Sequence, residues 1–248
     1  MNKVKILGHR GYRGKHTENS PTAFKKAFEN GADGIECDIQ KTKDSRYIVF
    51  HDDKIDRFSR NKGYIRDYTL EEIKKNVDLG NNETVLEIEE FLKILPPDKL
   101  INIELKKETI TTEDCSKLYS VITKYLDKKN ILISSFEHSL LPYFKKKKVK
   151  IGMLIGDMHL NLGLNGLFAR IIRISPQFMN LPIDMIKRFG PVKSSIVLSL
   201  LKLFGKKIIF WTVNNTEDYE KVLKYAYAII TDDVETFLKL DSDCVTPR

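Results

Sequence analysis

The chain has 248 residues, 42% hydrophobic and 31% charged, a composition that excludes a disordered polymer; no apolar run approaches the ~20 residues of a bilayer-crossing helix. A formal net charge of +8 favours an anionic partner, such as a phosphate ester, an acidic membrane surface or nucleic acid, without choosing among them. Cys37, Cys115 and Cys244 are too far apart for a disulfide framework or a thiolate metal site. The N-terminus "MNKVKILGHRG" also lacks the apolar core of a signal peptide, and the two features together predict a cytoplasmic protein.

In chain order, "VKILG" reads as a first strand and "GIECDI" as a second, joined by a helix in "SPTAFKKAFENG". Ser20 caps that helix, Pro21 suits its first position, Ala23, Phe24, Ala27 and Phe28 form one apolar face, and Gly31 ends it. "YIVFH" follows as an extension of the second strand or a hairpin. Residues 52–99 then form an insertion: a polar, turn-rich stretch, and a helix expected in "ETVLEIEEFLKIL" over 83–95. "LINIEL", "ILISSF", "KIGMLI", "QFMNL", "KIIFWTV" and "YAIIT" complete eight parallel strands, mostly separated by helical patterns. Eight such units predict an α/β (β/α)8 barrel in one domain over residues 1–248, with a small insertion between the second and third strands.

Active sites of such barrels lie at the C-terminal ends of the strands. His9 and Arg10 follow the first strand. Glu36 and Asp38, two apart on the second, share a face; His51 and Asp52 end "YIVFHDD"; Glu104 and Lys106 share a face at the end of "LINIELKK". Carboxylates crowded into a barrel mouth repel one another, and a hard divalent cation answers that repulsion: Glu36, Asp38 and Glu104 would hold Ca²⁺ or Mg²⁺ through oxygen ligands. His9 and His51 then read as acid and base for a phosphodiester, with Arg10 and Lys106 supplying positive charge to the phosphoryl oxygens. Taken singly, each histidine reads as an ordinary hydrogen-bonded residue, the acidic pair as a solvated face and Lys106 as part of the run "KKE". The chemical reading rests on their convergence at one end of one barrel.

The blocks "HRG" at 9–11, "EN" at 18–19 followed by "SPTAF", "GADGIECDI" at 31–39, "VFHDD" at 49–53, "NIELK" at 102–106, "SSF" at 134–136, "WTVN" at 211–214 and "TDD" at 231–233 run in order over nearly the whole chain. In these the sequence resembles the glycerophosphodiester phosphodiesterase family. The resemblance implies a TIM barrel with a small insertion after the second strand. It implies His9 and His51 as general acid and base, Glu36, Asp38 and Glu104 as metal ligands, and Arg10 and Lys106 as phosphate-binding residues. It further implies that Glu18 orients Arg10 or reaches the site itself, and that Trp211 lies against the glycerol or other alcohol group, its alternative being an ordinary barrel-core aromatic. The implied reaction is hydrolysis of a small-molecule glycerophosphodiester to glycerol 3-phosphate and an alcohol such as choline or ethanolamine.

The second half departs from the family pattern. Within 157–206, "LNGLFARIIRI" and "SSIVLSLLKLF" are more apolar than the other connections and carry interspersed Arg and Lys. They read as outer helices packed on the sheet, as a dimer contact, or as a peripheral membrane contact or acyl-chain groove. Two alternative functions follow: the same site cleaving lysophospholipids at a membrane surface in the manner of a lysophospholipase D, and a non-enzymatic phosphate- or membrane-binding barrel. Scattered lysines without a recognisable motif argue against nucleic acid. The sequence does not specify the oligomeric state.

Overall fold

Successive residues on a strand point to opposite sides, so a closed barrel sorts each strand into an inward and an outward set. In the computed structural model, which describes residues 3–161 and 163–245, the strands are β1 (Lys5–Gly8), β2 (Gly34–Lys41), β3 (Tyr47–Val49), β4 (Leu100–Leu105), β5 (Ile131–Ser135), β6 (Lys150–Leu154), β7 (Phe178–Pro182), β8 (Lys207–Trp211) and β9 (Ala226–Thr231). Eight run parallel in the order β1-β9-β8-β7-β6-β5-β4-β2, and a β1–β2 pairing closes the ring. The expected (β/α)8 barrel is therefore present. β3 lies outside the ring, antiparallel to β2, so "YIVFH" forms a hairpin.

The inward set changes character along the barrel axis. Leu7, Leu100, Leu132, Phe178, Ile209 and Ala228 cluster inside. Further toward the C-terminal ends of the strands, the inward positions are Glu36 and Asp38 on β2, Asn102 and Glu104 on β4, Ser134 on β5 and Asn180 on β7, with His9 just beyond β1. The outward set, including Ile35, Cys37, Ile39, Ile101, Ile103, Ile133 and Ile151, packs beneath the helices in the main core. The first helix, Pro21–Glu29, begins and ends as its residues dictate: the Ser20 hydroxyl accepts from the Ala23 amide at 3.1 Å, and Gly31 follows in the left-handed region.

The insertion has its own small core of Ile48, Phe50, Ile55, Ile65, Ile73, Val77, Leu79 and Val85. The helix expected over 83–95 is shorter, Ile88–Lys93. Val85 is drawn into the insertion core, Glu87 bridges to Ile48, and the Val49 amide donates to the Leu86 carbonyl at 2.9 Å, so tertiary contacts override the helical pattern of this half. The two apolar connections are the helix Gly163–Ile174 and the helix Asp184–Leu203, the latter kinked where Gly190 takes φ 75° ahead of Pro191. Each packs one face on the barrel, through Leu167, Ile171 and Ile174 and through Met185, Leu198 and Leu201. Neither is long and apolar enough to cross a membrane. Cys37 and Cys115 are free and buried; the Cys244 side chain lies outside the described residues.

Candidate active site

At the end of β1 the backbone turns sharply. A Cβ on Gly8 would sit 2.5 Å from the Gly11 carbonyl oxygen, and one on Gly11 (φ 82°) would meet the Ala23 backbone at 2.6 Å, so only glycine fits either position. Between them Arg10 is held left-handed at φ 51°, at an intrinsic cost of ~1–2 kcal/mol for a non-glycine residue. What the turn gains is an inward amide: Arg10 N donates to Glu36 Oε2 at 3.1 Å. The Arg10 guanidinium donates to Glu18 Oε1 at 2.8 Å, and its Nε lies 3.5 Å from Asp38 Oδ2. His9 is fixed from the opposite end of the chain, its Nδ1 lying 2.6 Å from Asp232 Oδ1. Burial is the largest influence on this imidazole and lowers its pKa; Arg10 acts in the same direction, Asp232 against it.

β2 and β4 supply the carboxylates. In their parallel register Glu36 lies beside Asn102 and Asp38 beside Glu104. One carboxylate oxygen from each of Glu36, Asp38 and Glu104 falls within 4.8 Å of the other two, and all three residues are buried. Unit charges ~4 Å apart repel by ~4 kcal/mol even at an effective dielectric constant of ~20, so the trio needs cations. Lys106 provides one, with Nζ 3.1 Å from Glu104 Oε1 and 3.7 Å from Asp38 Oδ1. Burial opposes the ammonium charge, but the two carboxylates outweigh it and raise the Lys106 pKa. Asp38 remains a strong acid: Lys106, His51 and Arg10 overcome the effect of burial. Glu36 is pushed well above the usual carboxylate range, by burial first and then by Asp38 and Glu104. Arg10 and Lys106 thus leave the trio incompletely neutralised. Asp38 Oδ1 and Asn102 Oδ1 are buried without hydrogen-bond partners, and such oxygen atoms fit a hard divalent cation.

His51 reaches the mouth on the loop after β3. Gln40, the next inward residue of β2 after Asp38, clamps that loop by donating from Nε2 to the carbonyls of Phe50, His51 and Asp52 at 2.7–3.1 Å. His51 Nδ1 lies 2.8 Å from Asp52 Oδ1. That hydrogen bond, reinforced by Arg57, holds the Asp52 carboxyl down at about 2. Arg57, from the insertion, ties both ends of the site together: Nε donates to Asp52 at 2.7 Å, and the two Nη atoms donate to Glu18 at 2.5 and 3.0 Å. Glu18 is therefore buried among Arg10, Arg13 and Arg57, behind the site.

His9, Arg10, Glu36, Asp38, His51, Glu104, Lys106 and Trp211 line one cleft with Asn102, Phe136, Leu154 and Ile230. Eight of the nine residues singled out in the sequence thus meet in one place; Glu18 supports it from outside. Trp211 packs edge-on to Phe136, with ring centroids 5.8 Å apart, on the apolar side of the cleft. Four supporting residues escaped the sequence reading: Asp232, Asp52 as the partner of His51, Gln40 and Arg57. "TDD" and "HDD" marked two of them without indicating what they touch, and Gln40 extends the two-residue spacing of Glu36 and Asp38 by one further step. Among the described residues, none that lines the cleft comes from the apolar region 157–206.

The model of the glycerophosphoryl diester phosphodiesterase family matches residues 9–236. A glycerophosphodiester phosphodiesterase of Caldanaerobacter subterraneus subsp. tengcongensis is 34% identical, the alignment covering 96% of this chain and 98% of that protein. Among solved structures, a glycerophosphodiester phosphodiesterase from Thermotoga maritima superposes with a TM-score of 0.80 at 32% identity, covering 97% of this chain and 99% of the other. A phosphodiesterase from Oleispira antarctica, solved in complex with the product sn-glycerol-3-phosphate, shares the fold at a TM-score of 0.83 and 20% identity, covering 97% of each chain. With a strand-end cleft of this composition and a family match over nearly its whole length, the chain belongs to the glycerophosphoryl diester phosphodiesterase family of phosphoric diester hydrolases.

Proposed function

We propose that this chain hydrolyses glycerophosphodiesters to glycerol 3-phosphate and an alcohol, with Glu36, Asp38 and Glu104 holding Ca²⁺ or Mg²⁺ and with His9 and His51 carrying the protons. The observation that carries this reading is the convergence of two imidazoles, three buried carboxylates and two cationic side chains on one cleft. The sn-glycerol-3-phosphate complex of the Oleispira protein supports the product assignment.

With Nδ1–H of His9 donating to Asp232, its Nε2 is left to accept a proton, and burial keeps the ring neutral near pH 7. His9 therefore takes the proton of the attacking water as the new P–O bond forms. His51, oriented through Nδ1 by Asp52, gives a proton to the departing alkoxide oxygen as the old P–O bond breaks. Arg10 and Lys106 oppose the negative charge that grows on the phosphoryl oxygens. Glu36, Asp38 and Glu104 would hold the divalent cation, which would supply Lewis-acid charge neutralisation to the reaction. Trp211 and Phe136 supply an apolar wall for the alcohol portions of the substrate, while Glu18 and Arg57 keep Arg10 and the His51 loop in position.

The test is hydrolysis of glycerophosphocholine followed by release of glycerol 3-phosphate, before and after EDTA treatment and on adding back Ca²⁺ or Mg²⁺. Activity lost with EDTA, restored by the cation and reduced about 10³-fold in Glu104→Gln supports the proposal. Full activity in EDTA removes the metal assignment, and wild-type activity in Glu104→Gln removes that ligand.

A further inference from the structure

The positive charge of the chain is concentrated in one stretch. Residues 158–216 contain eight Lys or Arg and a single acidic residue, Asp184, and so account for +7 of the net +8. The same stretch holds seven of the nine large hydrophobic side chains exposed among the described residues. None of these seven lines the catalytic cleft.

Beyond the kink at Gly190, Val192, Ile196, Leu200 and Leu203 recur at intervals of four, four and three and form one stripe along the outer face of the helix Asp184–Leu203. They are 73, 56, 37 and 79% exposed, while Ser194, Leu198 and Leu201 cover the barrel side. This segment is thus apolar on two opposite faces, where an ordinary outer barrel helix turns polar side chains to water. Phe204 and Ile172, 65 and 77% exposed, carry the apolar surface across a groove onto the helix Gly163–Ile174. Lys193 and Lys202 flank the stripe on either side, and Lys202 Nζ donates to the Lys224 carbonyl at 2.7 Å. Among the described residues, neither lysine is paired with a carboxylate.

We propose that this face docks the enzyme onto an anionic lipid bilayer, with the stripe entering the headgroup–acyl boundary and Lys193 and Lys202 meeting lipid phosphates. The charge pattern selects this occupant. Two copies joined through the same face would bring two sets of like charges together with little acid to answer them, which disfavours a symmetric dimer. An anionic bilayer offers hydrocarbon to the stripe and negative charge to its flanks. The proposal goes beyond the catalytic reading and stands independently of it.

The test is flotation of the full-length protein with vesicles of phosphatidylcholine and phosphatidylglycerol at 2:1, and with phosphatidylcholine alone, at 0.1 and 0.5 M NaCl. Binding is expected to the mixed vesicles at low salt, at least ~10-fold weaker at high salt or without phosphatidylglycerol. The paired substitutions Ile196→Ser/Leu203→Ser and Lys193→Glu/Lys202→Glu are each expected to reduce binding at least ~10-fold, with the thermal transition serving as the control for folding. Absence of binding to the mixed vesicles, equal binding to both compositions, or binding unchanged in folded forms of both variants overturns the proposal. So does a concentration-dependent dimer in light scattering that Ile196→Ser/Leu203→Ser abolishes, since the face would then belong to a second copy.

Discussion

β1, β2, β4 and the loop after β3 deliver every charged side chain that lines the cleft, whereas β6, β8, β9 and the Phe136 turn deliver Leu154, Trp211, Ile230 and Phe136. The charged side is crowded and strongly coupled; the apolar side has shape and little charge. The division suits a phosphodiester, whose anionic centre needs fixed charges while its alcohol substituents need a surface that excludes water. The separation is not complete, because Asp232, just beyond β9, and Asn214, beyond β8, cross back to support His9: Asn214 Nδ2 donates to Asp232 Oδ2 at 2.8 Å.

Three measurements sharpen or break this contrast. The largest effect is expected from His9→Ala and His51→Ala, each lowering kcat for glycerophosphocholine by ~10²–10⁴-fold with KM little changed, as for a proton-transfer group. A loss below ~10-fold in either would take that histidine out of the charged machinery.

The next is Asp232→Asn, which removes the carboxylate that the second half of the chain sets against His9. Loss of an orienting partner of this kind lowers kcat by ~10–100-fold. Its pH signature has a definite sign. Burial lowers the His9 pKa and Asp232 raises it, so removing the carboxylate lowers it further. The acid limb of kcat/KM, expected below pH 6.5 in the parent, moves to still lower pH in the variant. Since the folded-state pKa of His9 lies below its unfolded value, the stability from neutral His9 is present above pH ~6.5 and is lost as pH falls towards the folded-state pKa. An acid limb that stays in place or moves upward would show that Asp232 does not act on His9.

The smallest effect is expected from Trp211→Ala. A wall that binds ground state and transition state alike raises KM, here by ~3–10-fold, and leaves kcat within ~3-fold. A fall confined to kcat would mean that the apolar side takes part in the chemistry.

The elements most legible in the sequence are those governed by local rules. β-branched runs of four to eight residues announce the eight barrel strands, and the Ser20-Pro21 start and Gly31 stop announce the first helix. Alternation along "GIECDI" and "LINIEL" is enough to put Glu36 with Asp38 on one face and Glu104 on the corresponding face of its own strand. Less legible is the helix in 83–95, where Val85 and Glu87 obey contacts with the β3 hairpin rather than their helical pattern. Least legible are partners distant along the chain. Nothing near His9 indicates that residue 232 will lie 2.6 Å away, and nothing near Glu18 indicates that Arg57 will bind it with both Nη atoms.

The sequence by itself determines which side chains face into the barrel and which face out, because that alternation is a property of the pleat and of each strand's own residues. It also determines that the barrel mouth holds more carboxylate than its two nearest cations balance. Only the tertiary structure decided which charges meet, since closing the ring between β1 and β9 brings the two ends of the chain together and the β2–β4 register sets Asp38 beside Glu104. It likewise decided that the apolar helix Asp184–Leu203 buries one face and leaves Val192, Ile196 and Leu203 outside, because a helix apolar on two sides has no local signal for which of them the sheet will cover.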